Sequence, residues 1–478
     1  MADVAEEQPL KIYFIPYLAA GHMIPLCDIA TLFASRGHHV TIITTPSNAQ
    51  TLRESHHFRV QTIQFPSQEV GLPAGVQNLT AVTNLDDSYK IYHATMLLRK
   101  HIEDFVERDP PDCIVADFLF PWVDDVATKL HIPRLVFNGF TLFTICAMES
   151  HKAHPLPVDA ASGSFVIPDF PHHVTINSTP PKRTKEFVDP LLTEAFKSHG
   201  FLINSFVELD GEECVEHYER ITGGHKAWHL GPAFLVHRTA QDRGEKSVVS
   251  TQECLSWLDS KRDNSVLYIC FGTICYFPDK QLYEIASAIE ASGHEFIWVV
   301  PEKRGNADES EEEKEKWLPK GFEERNNGKK GMIIRGWAPQ VAILGHPAVG
   351  GFLTHCGWNS TVEAVSAGVP MITWPVHSDQ YFNEKLITQV RGIGVEVGAE
   401  EWIVTAFRET EKLVGRDRIE RAVRRVMDGG DEAVQIRRRA RELGEMARQA
   451  VQEGGSSHTN LTALINDLKR WRDSKQLN

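Results

Sequence analysis

The sequence predicts an α/β protein of two similar halves, each a parallel sheet wound with helices, facing each other across a crevice. Strand-like apolar runs alternate with helix-like segments along most of the chain, the signature of a parallel sheet. That alternation lapses once, around residues 237–254, where polar residues dominate. The length of 478 residues exceeds one ordinary core, since domains run to about 150 residues. Each half therefore reads as Rossmann-like: residues 1–240 as an N-terminal domain, 241–254 as a linker and 255–455 as a C-terminal domain. Residues 456–478 are expected to form a helix packing back on the N-terminal domain.

In order along the chain, LKIYFIPY ends in a Gly-containing loop, AAGH, followed by IPLCDIATLFASRG at helical spacing and the β-branched run HVTIITTP, which together make a βαβ unit. DCIVADF and PRLVFNGF continue the pattern with helix-like DDVATKL between them, and FLINSFVEL adds another strand. Beyond the polar stretch, VLYIC, FIWVV, GMIIRG, VGGFLTH, VPMITW and GVEVG alternate with segments such as KQLYEIASAIEASG. Glu302 to Trp317 is charge-dense and reads as a solvated loop, and Asp431 to Glu453 as a surface helix without sustained heptads.

Composition sets the class. Hydrophobic and charged fractions of 42% and 24% are those of a globular chain, and 50 basic against 64 acidic residues give −14, which repels nucleic acid and anionic membranes. Eight dispersed cysteines without a CxxC pair read as reduced thiols of a cytoplasmic protein. The acidic start lacks the basic region of a signal peptide, and no apolar run reaches the ~18 residues of a spanning helix, so no membrane insertion is expected. The glycosylation patterns at Asn78 and Asn177 read as chance matches.

The stretch HCGWNSTVEA, His355 to Ala364, lies between the strand VGGFLTH and a helix ended by Gly368. Its polar residues fall at a strand's carboxyl end and a helix's amino end, where open α/β sheets bind ligands and unpaired N–H groups attract phosphate. Ser360-x-x-Glu363 is also a capping box, which would use both side chains locally. Trp358 and Asn359 serve no capping purpose, and His355 adds a donor at the same place.

Trp337 to Gln380, WAPQVAILGHPAVGGFLTHCGWNSTVEAVSAGVPMITWPVHSDQ, is 44 residues long and resembles the signature box of plant UDP-dependent glycosyltransferases of family 1. The likeness runs from AAGHMIPL through ECLSWLD and FGT to YFNEKLI, and is closest to the subgroup acting on triterpenoid saponins and flavonoids. It implies a GT-B architecture with no cofactor, UDP-glucose being a co-substrate, and a monomer whose partners are a UDP-sugar and a small-molecule acceptor. By that resemblance, Trp337 stacks on uracil, Ala338 offers backbone groups to it, Gln340 contacts the ribose and Glu363 accepts from both ribose hydroxyls. His355, Asn359, Ser360 and Thr273 hold the diphosphate, while Trp358, Asp379 and Gln380 read the sugar hydroxyls. Gln380 resembles the glucose-preferring members; His377-Ser378 departs from the usual pattern and leaves xylose and galactose open.

His22 follows the first strand and can take a proton near neutral pH, although a lone His at a helix start is more often a packing residue. AAGHMIP resembles the family's catalytic loop and makes His22 the base; Asp117 would bond its other ring nitrogen and stabilise the imidazolium. The implied reaction is one in-line displacement with inversion, without metal: no Asp-x-Asp and no metal-spaced His/Cys cluster is present. Phe118, Phe120, Trp122 and Phe140 are candidates for an apolar acceptor site, with ordinary core aromatics as the equal alternative. A carboxyl acceptor would depend less on His22, being already ionised. Two other readings are a sugar-nucleotide-binding protein without turnover and a glycosidase using Asp117 with Asp124 or Asp125.

Overall fold

A computed structural model of the chain describes residues 8–476, apart from 53–57, 83, 155–163, 179, 237–248, 274, 276, 302–309, 327 and 404–411. In the first half, strands β1 (Lys11–Ile15), β2 (His39–Thr44), β3 (Arg59–Thr62), β4 (Cys113–Asp117) and β5 (Arg134–Phe137) precede a short antiparallel hairpin, β6 (Phe165–Val166) with β7 (Thr175–Ile176). β8 (Gly200–Ile203) and β9 (Ala227–His229) complete a seven-stranded parallel sheet in the order β3-β2-β1-β4-β5-β8-β9. The second half holds β10 (Val266–Cys270), β11 (Glu295–Val300), β12 (Gly331–Arg335), β13 (Val349–Thr354), β14 (Met371–Thr373) and β15 (Gly394–Glu396). These six, also parallel, run β12-β11-β10-β13-β14-β15.

Both sheets are sandwiched between helices, which explains why their strands read as continuous apolar runs. In β1, Ile12 and Phe14 join one core while Tyr13 and Ile15 join another, on opposite faces of the same strand. β10 divides likewise, with Leu267 and Ile269 on one side and Val266, Tyr268 and Cys270 on the other. One apolar cluster crosses between the halves, joining Phe143, Ile176 and Phe206 to Phe352, Phe382 and Ala440. Helix Ser456–Gln476 lays Leu461, Leu464, Ile465 and Leu468 into the cluster that holds Ile12 and Phe14, returning the chain to the first half.

Several expectations need correction. Within the stretch expected as linker, helix Thr251–Asp259 already begins, with the Ser250 side chain accepting from the Glu253 N–H; residues 241–248 lie outside the described ones. The charged tract is not all solvated loop: 302–309 lie outside the described residues, but Glu311–Lys314 is helical and Trp317 is fully buried against Trp298. The expected surface helix is present as Asp431–Ala450, which buries Ala433, Ile436, Ala440, Leu443 and Ala447 and leaves its charges outside. β3, β9 and the β6–β7 hairpin went unread because RVQT, AWH, FV and TI are too short or too polar to show a period.

Candidate active site

In each sheet the strand order reverses beside the strand that opens its half, and crossover connections leave in opposite directions there, opening a crevice at the carboxyl ends. In the first sheet this point lies between β1 and β4, which pair through Ile15 and Ala116; in the second it lies between β10 and β13, which pair through Cys270 and Thr354. The residues singled out from the sequence gather at these two points.

His22 sits in the first turn of helix Ala20–Ser35, just beyond β1, and Asp117 is the last residue of β4. Their side chains meet with His22 Nδ1 2.7 Å from Asp117 Oδ2. Asp117 is fully buried and its other oxygen accepts from the Leu119 N–H at 3.1 Å, so the carboxylate is held from two sides. His22 keeps 27% of its side chain exposed, which leaves the ring accessible at the crevice. Burial pushes the His22 pKa down, but the charge and hydrogen bond of Asp117, with the charge of Asp379 from the other half, outweigh it and leave the pKa above the ordinary value. Asp124 and Asp125, the partners a glycosidase would need, form ion pairs with Arg134 and Arg99 instead.

In the second half the helix begins at Trp358, earlier than a Ser360 cap requires, with Gly357 in the cap position and no side-chain cap bond. The capping-box alternative is thereby overturned: Ser360 lies inside the first turn, and the N–H groups of Trp358, Asn359 and Ser360 precede the first intrahelical bond, Thr361 N–H to Gly357 O at 3.0 Å. Ser360 and Glu363 both accept from the Gln340 amide, at 3.0 and 2.8 Å, while Gln340 Oε1 accepts from the Tyr268 hydroxyl at 3.2 Å. Gln340, Ser360 and Glu363 thus form one hydrogen-bonded polar wall, and Trp337 is half-buried two residues past β12. The buried Ala338 already accepts from the Gln340 N–H through its carbonyl, at 2.8 Å.

His355 is wedged between two glycines. A Cβ at Gly272 or at Gly357 would stand 2.7 or 2.4 Å from His355 Nε2, so the imidazole occupies the space that side chains there would fill. Gly272 also has φ +76°, a conformation that suits glycine. Burial, helped by His377, pushes the His355 pKa down to about 3, so the ring is a neutral hydrogen-bonding group and not a cation. Thr273 lies exposed beside Gly272.

The expected sugar readers divide. Asp379 accepts from Asn383 Nδ2 at 2.6 Å and from the Ser378 side chain, and burial raises its pKa. Gln380 is buried with Oε1 accepting from the N–H groups of Val376 and His377, at 2.9 and 3.0 Å, which leaves its amide NH₂ for a ligand. Trp358 departs from expectation: its indole N–H donates to Asn204 O in the first half at 2.8 Å, so its one polar side-chain atom is committed to the protein.

Asn359 also reaches across. Its Nδ2 donates to Gly21 O at 2.8 Å, one residue before His22. That carbonyl is available because Pro25, four residues on in the same helix, has no N–H to offer it. The turn that carries His22 and the turn that starts the Trp358 helix are thus tied backbone to side chain.

Of the acceptor candidates, Phe118 stacks near His22 with centroids 6.4 Å apart, and Phe140 lies 5.6 Å from Phe118. Phe120 and Trp122 pack edge-on against each other with centroids 5.9 Å apart, and all four aromatics are buried. Tyr17, which sequence reasoning did not single out, sets its ring edge-on to His22 at 5.5 Å and touches Phe120 as well. Asn383 was missed too; its polar role inside an apolar helical segment was the available signal.

Two parallel α/β halves whose switch points face each other, one carrying a carboxylate-backed imidazole and the other an anion-binding helix terminus, define a nucleotide-sugar transferase. The family model for UDP-glucoronosyl and UDP-glucosyl transferase matches residues 239–418. The chain is 48% identical to UDP-glucosyl transferase 73CC6 of Saponaria officinalis over 98% of this chain and 99% of that one. It is 45% identical to UDP-glucose flavonoid 3-O-glucosyltransferase 7 of Fragaria ananassa, over 96% of each. Among solved structures, Glycyrrhiza uralensis UGT73P12 complexed with glycyrrhetinic acid 3-O-monoglucuronide superposes with a TM-score of 0.87 at 37% identity, covering 98% of both chains. The chain belongs to the plant UDP-glycosyltransferases of family 1, and it is a GT-B enzyme. Among the described residues, no helix is long and apolar enough to cross a membrane.

Proposed function

We propose that this enzyme transfers glucose from UDP-glucose to a hydroxyl or carboxyl of an apolar plant metabolite, a triterpenoid or saponin first and a flavonoid or isoflavonoid second. The observation that carries it is the His22–Asp117 pair at 2.7 Å, tied through Gly21 to the helix terminus that starts at Trp358. Relatives that act on flavonoids and a neighbour bound to a triterpenoid glucuronide support the acceptor class.

An acceptor hydroxyl against Phe118 and Phe140 gives its proton to the free Nε2 of His22 as its oxygen attacks the anomeric carbon. Asp117 stabilises the imidazolium without taking the proton. The bond from the anomeric carbon to the diphosphate oxygen breaks on the opposite face, the configuration inverts, and UDP leaves with the electron pair. The N–H groups of the Trp358 turn, Ser360, Thr273 and neutral His355 receive the growing charge, so no metal or other cofactor is required. Trp337 stacks on uracil, Gln340 and Glu363 hold the ribose, and Asp379 and Gln380 bind the sugar hydroxyls. The reading includes a cytoplasmic monomer, supported by cysteines that are all free and buried.

Incubation with UDP-glucose and a panel of triterpenoid and flavonoid acceptors tests this. One added hexose per acceptor, with equimolar UDP and full rate in chelator, is the expected result. Steady UDP-glucose binding with no transfer to any acceptor of the panel would favour a binding protein, and hydrolysis of glycosides without UDP would favour a glycosidase.

A further inference from the structure

Asn383 lies one turn beyond Asp379, has 0% exposure and uses every hydrogen of its amide. One N–H goes to Asp379 Oδ2 at 2.6 Å and one to Cys356 O at 3.0 Å, while its Oδ1 accepts from the Thr144 hydroxyl at 3.0 Å. Two acceptors on one side and a donor on the other allow a single orientation, because a flipped amide would set its oxygen against a carboxylate and a carbonyl. The group has no hydrogen left for a substrate and sits too deep to touch one.

Its three partners belong to three parts of the site. Asp379 is the carboxylate assigned above to the sugar. Cys356 turns the chain at φ 64°, a strained conformation for a residue with a side chain, two residues before the anion-binding helix begins. Thr144 is fully buried in the first turn of helix Leu142–Ala153 of the other half, four residues past Phe140. Thr144 and Asn383 are 239 residues apart in sequence and form a buried side-chain bond between the halves.

We propose that Asn383 is a positioning residue that aims the Asp379 carboxylate at the donor sugar, and that Thr144 couples this aim to the seating of the acceptor half. The proposal rests on the sugar-binding role given to Asp379. The Asp379 carboxylate is bonded by the neighbouring Ser378 side chain as well as by Asn383, and Asn383 is the clamp that reaches it from one helical turn away and ties its direction to the rest of the site. Losing the clamp frees the carboxylate to rotate, which weakens recognition of the sugar but not of the nucleotide.

Calorimetry with UDP and with UDP-glucose, on wild type, Asn383→Ala, Thr144→Val and Asp379→Ala, separates the possibilities. Asn383→Ala is expected to weaken UDP-glucose binding about tenfold, with UDP changed less than about twofold, since a bond to a charged group carries that much. Thr144→Val keeps the shape, removes the hydroxyl and is expected to give the same selective loss at about threefold, so it serves if Asn383→Ala does not fold. The Asn383→Ala and Asp379→Ala losses should not add in the double variant. Equal weakening of both ligands, or none, in Asn383→Ala and Thr144→Val would overturn the proposal. An Asp379→Ala protein that binds UDP-glucose as wild type does would instead remove the sugar role of Asp379 itself.

Discussion

In the proposed mechanism, the chemistry at the switch point of the first sheet rests on two side chains 95 residues apart, His22 and Asp117, joined by one hydrogen bond. At that of the second sheet the proposal places it on a contiguous turn, whose first backbone N–H groups and flanking Gly357 and His355 would share the work. The first arrangement can be abolished by one substitution, whereas the second divides its task over backbone groups that no substitution removes. Proton transfer needs one group of the right basicity in one place; spreading a developing charge does not.

His22→Ala is therefore expected to have the largest effect. Transfer to hydroxyl acceptors should fall on the order of 10²–10⁴-fold, the usual worth of a general base, while UDP affinity stays nearly unchanged. An unaltered rate would take His22 out of the mechanism. Next comes the pH profile. The base must be neutral, and its pKa is raised above the ordinary value, so kcat/KM for a hydroxyl acceptor should fall as pH drops through a midpoint above that value. Asp117→Asn removes the charge that lifts it, and the midpoint should move to lower pH with the rate reduced; a midpoint that stays put would mean that another group titrates. A carboxyl acceptor should show a weaker dependence on both substitutions.

Gly357→Ala probes the second half with a smaller effect. The backbone at Gly357, φ −58° and ψ 136°, accepts alanine, so the only new feature is a Cβ 2.4 Å from His355 Nε2. The ring must move, and UDP binding should weaken about tenfold, the worth of one good charge-assisted hydrogen bond. Unchanged affinity in titration calorimetry would show that His355 does not hold the diphosphate.

The same contrast explains what could be read in the sequence. The helix-start part of the second half's site is local, a strand, a turn and a helix in sequence, and a geometry suited to an anion follows from the helix start. The strands buried on both faces were legible for a similar reason, because their apolar runs are continuous. In contrast, whether Ser360 and Glu363 cap their helix or face Gln340 depends on where that helix starts, which shifts by a residue or two without changing the motif. The Asn359 bond to the carbonyl that Pro25 leaves open and the Thr144–Asn383 bond join segments far apart in sequence. No period or spacing records such pairs; only the folded chain brings them together.

Trp358 offers the smallest and sharpest test of how the halves are joined. If its indole N–H reads a sugar hydroxyl, Trp358→Phe should weaken UDP-glucose relative to UDP and leave stability alone. With the N–H donating to Asn204 O at 2.8 Å, the substitution instead leaves a buried carbonyl of the first half without its donor. That costs about 1–3 kcal/mol, because the unmatched group keeps its full desolvation penalty while the phenyl ring retains most of the packing. The expected outcome is a lower midpoint in thermal or urea unfolding with both ligand affinities unchanged. A loss confined to UDP-glucose would place the indole in the sugar site and require the bond to Asn204 to open when the donor binds.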